Sequence, residues 1–526
     1  MADCQSSSDG SEDSCRALGK QLDEIIRNCR PIEGYLKRYI LHTMTLIDGE
    51  RLRRERFGEE DKNKPHKTIL MVGETGTGKS TLINSFINHM LGVQWENRVW
   101  CEIIETRENQ TESLTKAVTV YDVFIEEFPF SLTVIDTPGY GNTGGKEEDL
   151  NIAEMLHELF RSKDGVDEVD AVCFVVTSNF IRLTESHLYV FDAILSLFGK
   201  DMESNIVLFI THATQKPINA LQAIKQYKVR CAKTKDGKPV FFSIDNSHCE
   251  ALHEDDKNEA ETKEDHKYRA AWEINKRNMM NFFDFLNDDS KPVSLKMSDD
   301  VLRKREQLTA AINNIKDRIT LTELRKQELE QTKAALEQHE KIKKDMMNNF
   351  EYEVDEPYKE MLPIESKWWN KKATCCTVCE ENCHYPGCWC VGRLKWCSVM
   401  KKGKCTVCSG KCDHTKHVKE KKMYVSKTRK VKKINGDQKQ KYETETGEKR
   451  SLMSRLKNQI KDLESEKDSL MEECYKCVVN LLETALNTDS VLCNLDFLIE
   501  NWKETDRVQN LEELKKKSEA ANRGLL

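Results

Sequence analysis

The sequence predicts an α/β fold with a mostly parallel sheet, followed by a mainly helical, coiled-coil region interrupted by a small Cys-rich knot. Three observations predict it. Apolar runs at 68–72, 118–125, 131–135, 170–176, 206–210 and 239–242 alternate with helical patterns near 81–91, 147–161, 184–198, 217–229 and 263–286, which is the signature of a parallel sheet covered on both faces. Beyond Pro292, Leu308, Ile312, Ile315 and Ile319 step by heptad intervals in a Lys/Glu/Gln-rich background. Cysteine is concentrated, with 10 of the 20 falling between Cys375 and Cys412.

A chain of 526 residues implies two to four structural units. Its 33% charged and 38% hydrophobic residues disfavour one large enzyme core and call for long solvated helices. No run of 18 apolar residues occurs, and the opening MADCQSSSDGSEDSC is polar and acidic, so the expectation is a cytoplasmic protein without a transmembrane anchor. The net charge of -7 conceals a basic segment: Met400–Asn435 holds 13 Lys or Arg against 2 acidic residues, a local +11, which leaves -18 for the remainder. The overall balance does not suggest a polyanion-binding protein as a whole.

The elements follow in order. Residues 1–15 read as a Ser/Asp-rich tail, and 16–63 as an N-terminal helical segment carrying Leu22, Ile25, Ile26, Leu36, Ile40 and Leu41 at helical intervals. Residues 64–290 hold the alternating α/β pattern, 296–347 a coiled coil, 370–420 the Cys/His-rich module, 421–448 a basic linker, and 449–526 a second coiled coil with C-terminal helices. In that last segment Met453, Leu456, Ile460, Leu463, Lys467, Leu470, Cys474, Cys477 and Leu481 step by three and four throughout. The two heptad runs suit a long helix packed on its own domain, an antiparallel hairpin with the Cys knot at its tip, or an intermolecular coiled coil.

Gly73-Glu74-Thr75-Gly76-Thr77-Gly78-Lys79-Ser80 fits G-x-x-x-x-G-K-[ST] between a strand and a helix. In that pattern glycines let successive backbone N–H groups and the helix N-terminus surround phosphates, Lys79 reaches the β and γ oxygens, and Ser80 ligates Mg²⁺, with Thr81 next along the cradle. Asp136-Thr137-Pro138-Gly139 closes the strand SLTVI, where Asp136 holds magnesium through water and the Gly139 N–H meets the γ-phosphate.

These motifs resemble the translation-factor-related branch of P-loop GTPases, and within it the septins, the immunity-associated GIMAP proteins and the Toc chloroplast import receptors. The resemblance covers Lys64–Leu286 and implies a P-loop NTPase G domain that binds GTP/GDP with Mg²⁺. Ser113-Leu114-Thr115-Lys116 is similar to the GIMAP switch I segment, which makes Thr115 the candidate to complete the magnesium shell, with Thr111 and Thr119 as rivals. Thr211-His212-Ala213 stands where Asn-Lys-x-Asp is usual, and with Asp245-Asn246-Ser247 it resembles the Toc base-recognition pattern. This implies that His212 packs on the base and that Asp245 or Asn246 lies near the purine edge.

Tyr140 occupies the position after the DxxG glycine, where a glutamine would orient the attacking water. A tyrosine lacks the amide's paired donor and acceptor, so hydrolysis to GDP and phosphate is expected to be slow. The resembling families imply self-association through facing G domains, hence a homo-oligomer. The reading is a nucleotide-dependent switch or assembly protein with protein partners. Its competitors are an interaction scaffold with a structural nucleotide and a nucleic-acid-binding ATPase, the latter disfavoured because no RRM, KH or C₂H₂ pattern occurs.

Cys376-x2-Cys379-x3-Cys383-His384-x3-Cys388 and Cys405-x2-Cys408-x3-Cys412-x-His414-x2-His417 form two local repeats. Paired C-x2-C turns suit tetrahedral Zn²⁺ in closed structural sites. One or two zinc ions are expected on Cys376, Cys379, Cys383, Cys388, Cys405, Cys408, Cys412 and His417, and the spacing leaves their grouping open.

Overall fold

The apolar run TILMV forms the heart of an eight-stranded sheet. The computed structural model describes residues 22, 25–27, 29–32, 37–105, 116–141, 146–162, 164–179, 184–213, 216–226, 228–246, 261–342, 350–364, 372–385, 394–435, 442–502 and 505–523. The sheet comprises β1 (Met44–Asp48), β2 (Leu52–Phe57), β3 (His66–Gly73), β4 (Val118–Val123), β5 (Ser131–Asp136), β6 (Ala171–Thr177), β7 (Ile206–Thr211) and β8 (Phe241–Ser243). Its order is β8-β7-β6-β3-β5-β4-β2-β1. β3 runs parallel to β5, with Ile69 opposite Val134, and to β6, with Met71 opposite Cys173. β7 and β8 continue in parallel on the β6 side. On the other side β4 is antiparallel to β5, placing Thr119 opposite Asp136.

Strands β4, β5 and β7 are buried at every position, which is why they read as unbroken apolar runs rather than alternating ones. The helices of this unit are α1 (Lys79–Met90), α2 (Lys146–Arg161), α3 (Glu185–Leu195), α4 (Ile218–Gln226) and α5 (Glu261–Asp284). Phe282 of α5 stacks on Phe86 of α1 at 5.2 Å between ring centroids and meets Phe209 of β7 edge-on at 4.9 Å. All three rings are fully buried, each contributing about 1.5–3 kcal/mol. This aromatic wedge fixes α1, and with it the loop at the α1 N-terminus, against the sheet.

The expected N-terminal helical segment, 16–63, is corrected over most of its described length. Arg30–Ile32 and Lys37–Ile40 pair antiparallel, and β1 and β2 form a hairpin that extends the main sheet, β2 running parallel to β4. The charged run LRRERF becomes a strand because partners satisfy its side chains: Arg54 makes a two-point contact with Asp122 at 2.7 and 3.1 Å. Gly49 lies in the connection between these two strands, its N–H donating to the Leu52 carbonyl at 3.0 Å. A Cβ on Gly49 would lie 2.7 Å from the Leu52 carbonyl oxygen.

The chain divides into two compact units. One comprises the described residues up to Val301 with Thr484–Asp489 and those from Glu519 on; the other comprises Leu302–Glu483 and Ser490–Ser518. The second unit is built from α6 (Lys296–Ile342), β9 (Phe350–Pro363), β10 (Ala373–Cys376), β11 (Glu381–His384), β12 (His417–Glu420), β13 (Lys422–Asn435), α7 (Tyr442–Thr484), α8 (Asp489–Asn501) and α9 (Thr505–Arg523). Arg318 and Lys326 of α6 reach Glu466 and Glu464 of α7 at 3.1 and 3.2 Å, so the two heptad-bearing helices lie side by side. The α6 seam is apolar at Leu308, Ile312 and Ile315 but turns polar at buried Arg318, Thr322, Glu328 and Thr332. Lys467, at a heptad core position, donates to the Asn501 carbonyl at the α8 C-terminus (3.4 Å), a favourable place for a cation.

The basic linker expected at 421–448 is also corrected. Lys422–Asn435 is a full strand, paired antiparallel along its whole length with the acidic β9. Lys427 meets Glu360 at 2.8 Å, Arg429 meets Glu356 at 3.1 Å, and Lys433 meets Glu328 at 2.9 Å. At least three of the 13 basic side chains of the +11 stretch are therefore paired with acidic neighbours of its own unit, which weakens the case for a phosphate-binding surface.

Candidate nucleotide and metal sites

The phosphate-loop residues sit where β3 ends and α1 begins, at the carboxyl edge of the sheet where open α/β folds place their ligands. Gly76 and Gly78 adopt φ of +79° and +84°, conformations that glycine takes without steric cost, and Gly78 is the N-cap of α1. A Cβ at Gly76 would meet nothing within 4 Å, whereas one at Gly139 would lie 2.4 Å from Thr75 Oγ1 and 2.5 Å from Thr75 Cα. The DxxG glycine therefore lies directly against the loop.

Lys79 is buried, and its Nζ donates to the carbonyls of Gly73 (3.1 Å) and Glu74 (3.0 Å). Burial lowers its pKa to about 8, opposed by the negative charges of Asp136 and Glu74. Asp136 is itself buried at the end of β5, while Ser80 and Thr81 are half-buried in the first turn of α1. Thr137 donates its hydroxyl to the Met71 carbonyl at 2.8 Å, stitching DTPG to β3. Thr77 is fixed by its hydroxyl on the Glu74 carbonyl at 2.8 Å. Thr119 is buried in β4, and Thr111 and Thr115 lie outside the described residues.

At the ends of β7 and β8 the base-recognition candidates come together. His212 is exposed with φ of +53°, a left-handed conformation uncommon for a non-glycine residue. The next residue, Ala213, donates its N–H to the Ile244 carbonyl, bringing His212 beside Asp245. Thr211 ties this corner to the phosphate loop, its hydroxyl donating to the Thr77 carbonyl at 2.8 Å. Asp245 is buried, its N–H donating to Asn275 Oδ1 (2.8 Å) and its carbonyl accepting from Asn275 Nδ2 (2.7 Å). The Asn246 side-chain oxygen accepts from Ser85 Oγ (2.9 Å) and Asn275 Nδ2 (3.3 Å).

Two contributors escaped the sequence reading. Asn275, in the middle of α5, clasps the Asp245-Asn246 corner, and nothing in a helix interior marks that role. His187, in the first turn of α3, stands 3.8 Å from the Glu74 carboxylate. Its capping contact with Thr184, Nδ1 to Oγ1 at 2.9 Å, was the available signal.

Residues 67–235 match the AIG1 family. The chain carries an AIG1-type G domain. Over 188 residues it is 30% identical to Septin-14 of Mus musculus, covering 34% of this chain and 41% of that protein. It is 25% identical to Translocase of chloroplast 33 of Arabidopsis thaliana (32% and 49% covered) and 25% identical to Immune-associated nucleotide-binding protein 13 of the same plant (36% and 51% covered). The chain thus spans about half the length, or less, of these relatives. Among solved structures, Toc33 from Arabidopsis thaliana with Mg²⁺ and GMPPNP aligns at a TM-score of 0.30 and 16% identity, covering 55% of this chain and 97% of that one. The G domain's mixed sheet and flanking helices give the P-loop GTPase fold anticipated for this segment.

In the second unit the two cysteine repeats interleave. Cys376 and Cys379 of the first gather with Cys408 and Cys412 of the second; Cys383 gathers with Cys405, Cys408 and His417. Within each group the ligand atoms lie within 4.8 Å of one another. Cys388 lies outside the described residues, and each quartet is complete without it. No described helix is long and apolar enough to cross a membrane.

Proposed function

We propose that this chain is a cytoplasmic GTP-binding protein and slow GTPase, acting as a nucleotide-dependent switch or assembly protein that self-associates. The observation that carries the reading is the contact of Gly139 with Thr75 beside a buried Lys79: a cradle with room at Gly76 and a cation at its floor. Bound Mg²⁺–GTP would supply the phosphoryl group and concentrate negative charge on its β and γ oxygens. Lys79 would exchange its two carbonyl contacts for those oxygens, and the loop N–H groups with the α1 N-terminus would hold the remaining charge. Ser80 would be an inner-shell ligand of the metal, Asp136 would hold its outer shell and Thr115 would complete the shell. His212 would lie on the base, with Asp245 and Asn246 at its edge.

Zinc belongs to the same proposal, because two quartets of Cys and His ligands, one buried and one half-buried, suit that ion and leave no open coordination position for catalysis. The second unit would then be a rigid module that passes the nucleotide state to protein partners. Calorimetric titration with Mg²⁺ and GTP, GDP or ATP tests the reading. Guanine nucleotides should bind, ATP should bind more weakly, and Lys79→Ala should lose at least a hundredfold in affinity; tighter ATP binding would reject it.

A further inference from the structure

The geometry points to a two-metal cluster in which the Cys408 thiolate bridges both ions. The inference rests on the zinc reading above and extends it to the grouping that the sequence leaves open.

Two four-coordinate ions require eight ligand positions. The two quartets supply seven ligand atoms, because Cys408 belongs to both, so one sulfur must serve twice. The repeats explain why only one does. Matching Cys376, Cys379 and Cys383 with Cys405, Cys408 and Cys412 relates the first quartet to a second in which Cys379 would also be shared. His417 takes that fourth place instead, which frees Cys379 for one ion and leaves Cys408 as the single bridge.

Local geometry supports metal binding independently of the clustering. Backbone N–H groups point at the sulfurs: Cys379 N to Cys376 Sγ (3.4 Å), Cys408 N to Cys405 Sγ (3.4 Å), Cys412 N to Cys408 Sγ (3.2 Å) and Gly410 N to Cys379 Sγ (3.3 Å). Such donors favour sulfur in its thiolate form. A Cβ at Gly410 would lie 3.0 Å from Cys412 Sγ and 3.1 Å from Cys379 Sγ, so the chain passes close over the first quartet. His417 Nδ1 is held against the Asp413 carbonyl at 3.0 Å, and its buried Nε2 makes no hydrogen bond among the described residues. That is the orientation of a metal-ligating imidazole, whose second nitrogen is fixed by a backbone carbonyl.

On binding, six thiols release six protons, and six thiolates with two divalent ions leave a net charge of -2 on the cluster. Lys359 places its ammonium on the Cys379 carbonyl at 3.3 Å, where it offsets part of that charge.

The test uses the full chain purified under reducing conditions. Elemental analysis should find two zinc ions per chain. After exchange for NMR-active cadmium, two resonances should appear that are scalar-coupled to each other through the shared sulfur. Cys408→Ser should lose both ions, whereas His417→Ala should retain one. One ion per chain, or two uncoupled resonances in the unmutated protein, would overturn the bridge while leaving zinc binding in place; no metal at all would overturn the zinc reading with it.

Discussion

The backbone N–H of Thr75 donates to the Tyr140 carbonyl at 3.0 Å, and the Tyr140 N–H donates to the Gly73 carbonyl at 3.1 Å. This reciprocal pair locks the segment after DxxG against the phosphate loop and turns the Tyr140 side chain into the core, where it is 1% exposed. The residue at the position of a water-orienting glutamine is thus a packing residue. Its buried hydroxyl has no hydrogen-bond partner among the described residues, and removing such a group relieves a desolvation cost of about 1–3 kcal/mol. Tyr140→Phe is expected to raise the thermal midpoint or leave it unchanged, with GTP turnover unaltered. A loss of turnover would show that the hydroxyl acts in hydrolysis.

Gly139 admits no side chain. With a Cβ 2.4 Å from Thr75 Oγ1 and 2.7 Å from Thr75 N, Gly139→Ala must displace loop backbone. Nucleotide affinity is expected to fall more than tenfold while most of the fold's stability remains. Titration with a fluorescent GDP analogue and a melting curve separate the two effects.

Lys79 carries a pH signature. Its folded pKa, about 8, lies below its ordinary 10.5 because burial disfavours the charge. Between those values the unfolded chain binds the extra proton, so the stability of the unliganded protein rises with pH through this window and is flat below it for this group. Polyphosphate needs the charged form. Near pH 8.5, binding should therefore take up roughly three-quarters of a proton, measurable by calorimetry in buffers of differing ionisation enthalpy. No uptake would contradict the assignment of Lys79.

Arg318 is the hub of the second unit. It bonds Glu381 at 2.9 Å and Glu466 at 3.1 Å while 5% exposed, and Glu381 in turn accepts from Ser409 N–H and Oγ–H in the Cys-rich knot. Arg318→Ala strips the cation from the partly buried Glu381 and Glu466 carboxylates and should cost about 1.5–3 kcal/mol. The unfolding transition of this unit should shift accordingly, with nucleotide affinity unchanged.

The sheet and phosphate loop were legible because β5 and β7 are buried throughout and β3 over Thr68–Gly73, and glycines follow β3 and β5 in their motifs, so local pattern and tertiary environment agree. β2 and β13 were not. LRRERF and the Lys-rich 422–435 carry no apolar alternation strong enough to mark a strand, and each is held by pairing with distant charge, Arg54 on Asp122 and Lys427 on Glu360. Candidate site residues belonging to motifs were visible one by one. Asn275 and the sharing of Cys408 were hidden because they depend on which segments meet in space.

Whether the G domain holds guanine nucleotide is read from the nucleotide released when the freshly purified protein is saturated with mixed GTP and ATP in Mg²⁺, desalted and denatured. Near-stoichiometric GTP or GDP, lost in Lys79→Ala, is the predicted result; adenine nucleotide in excess, or none, would contradict it.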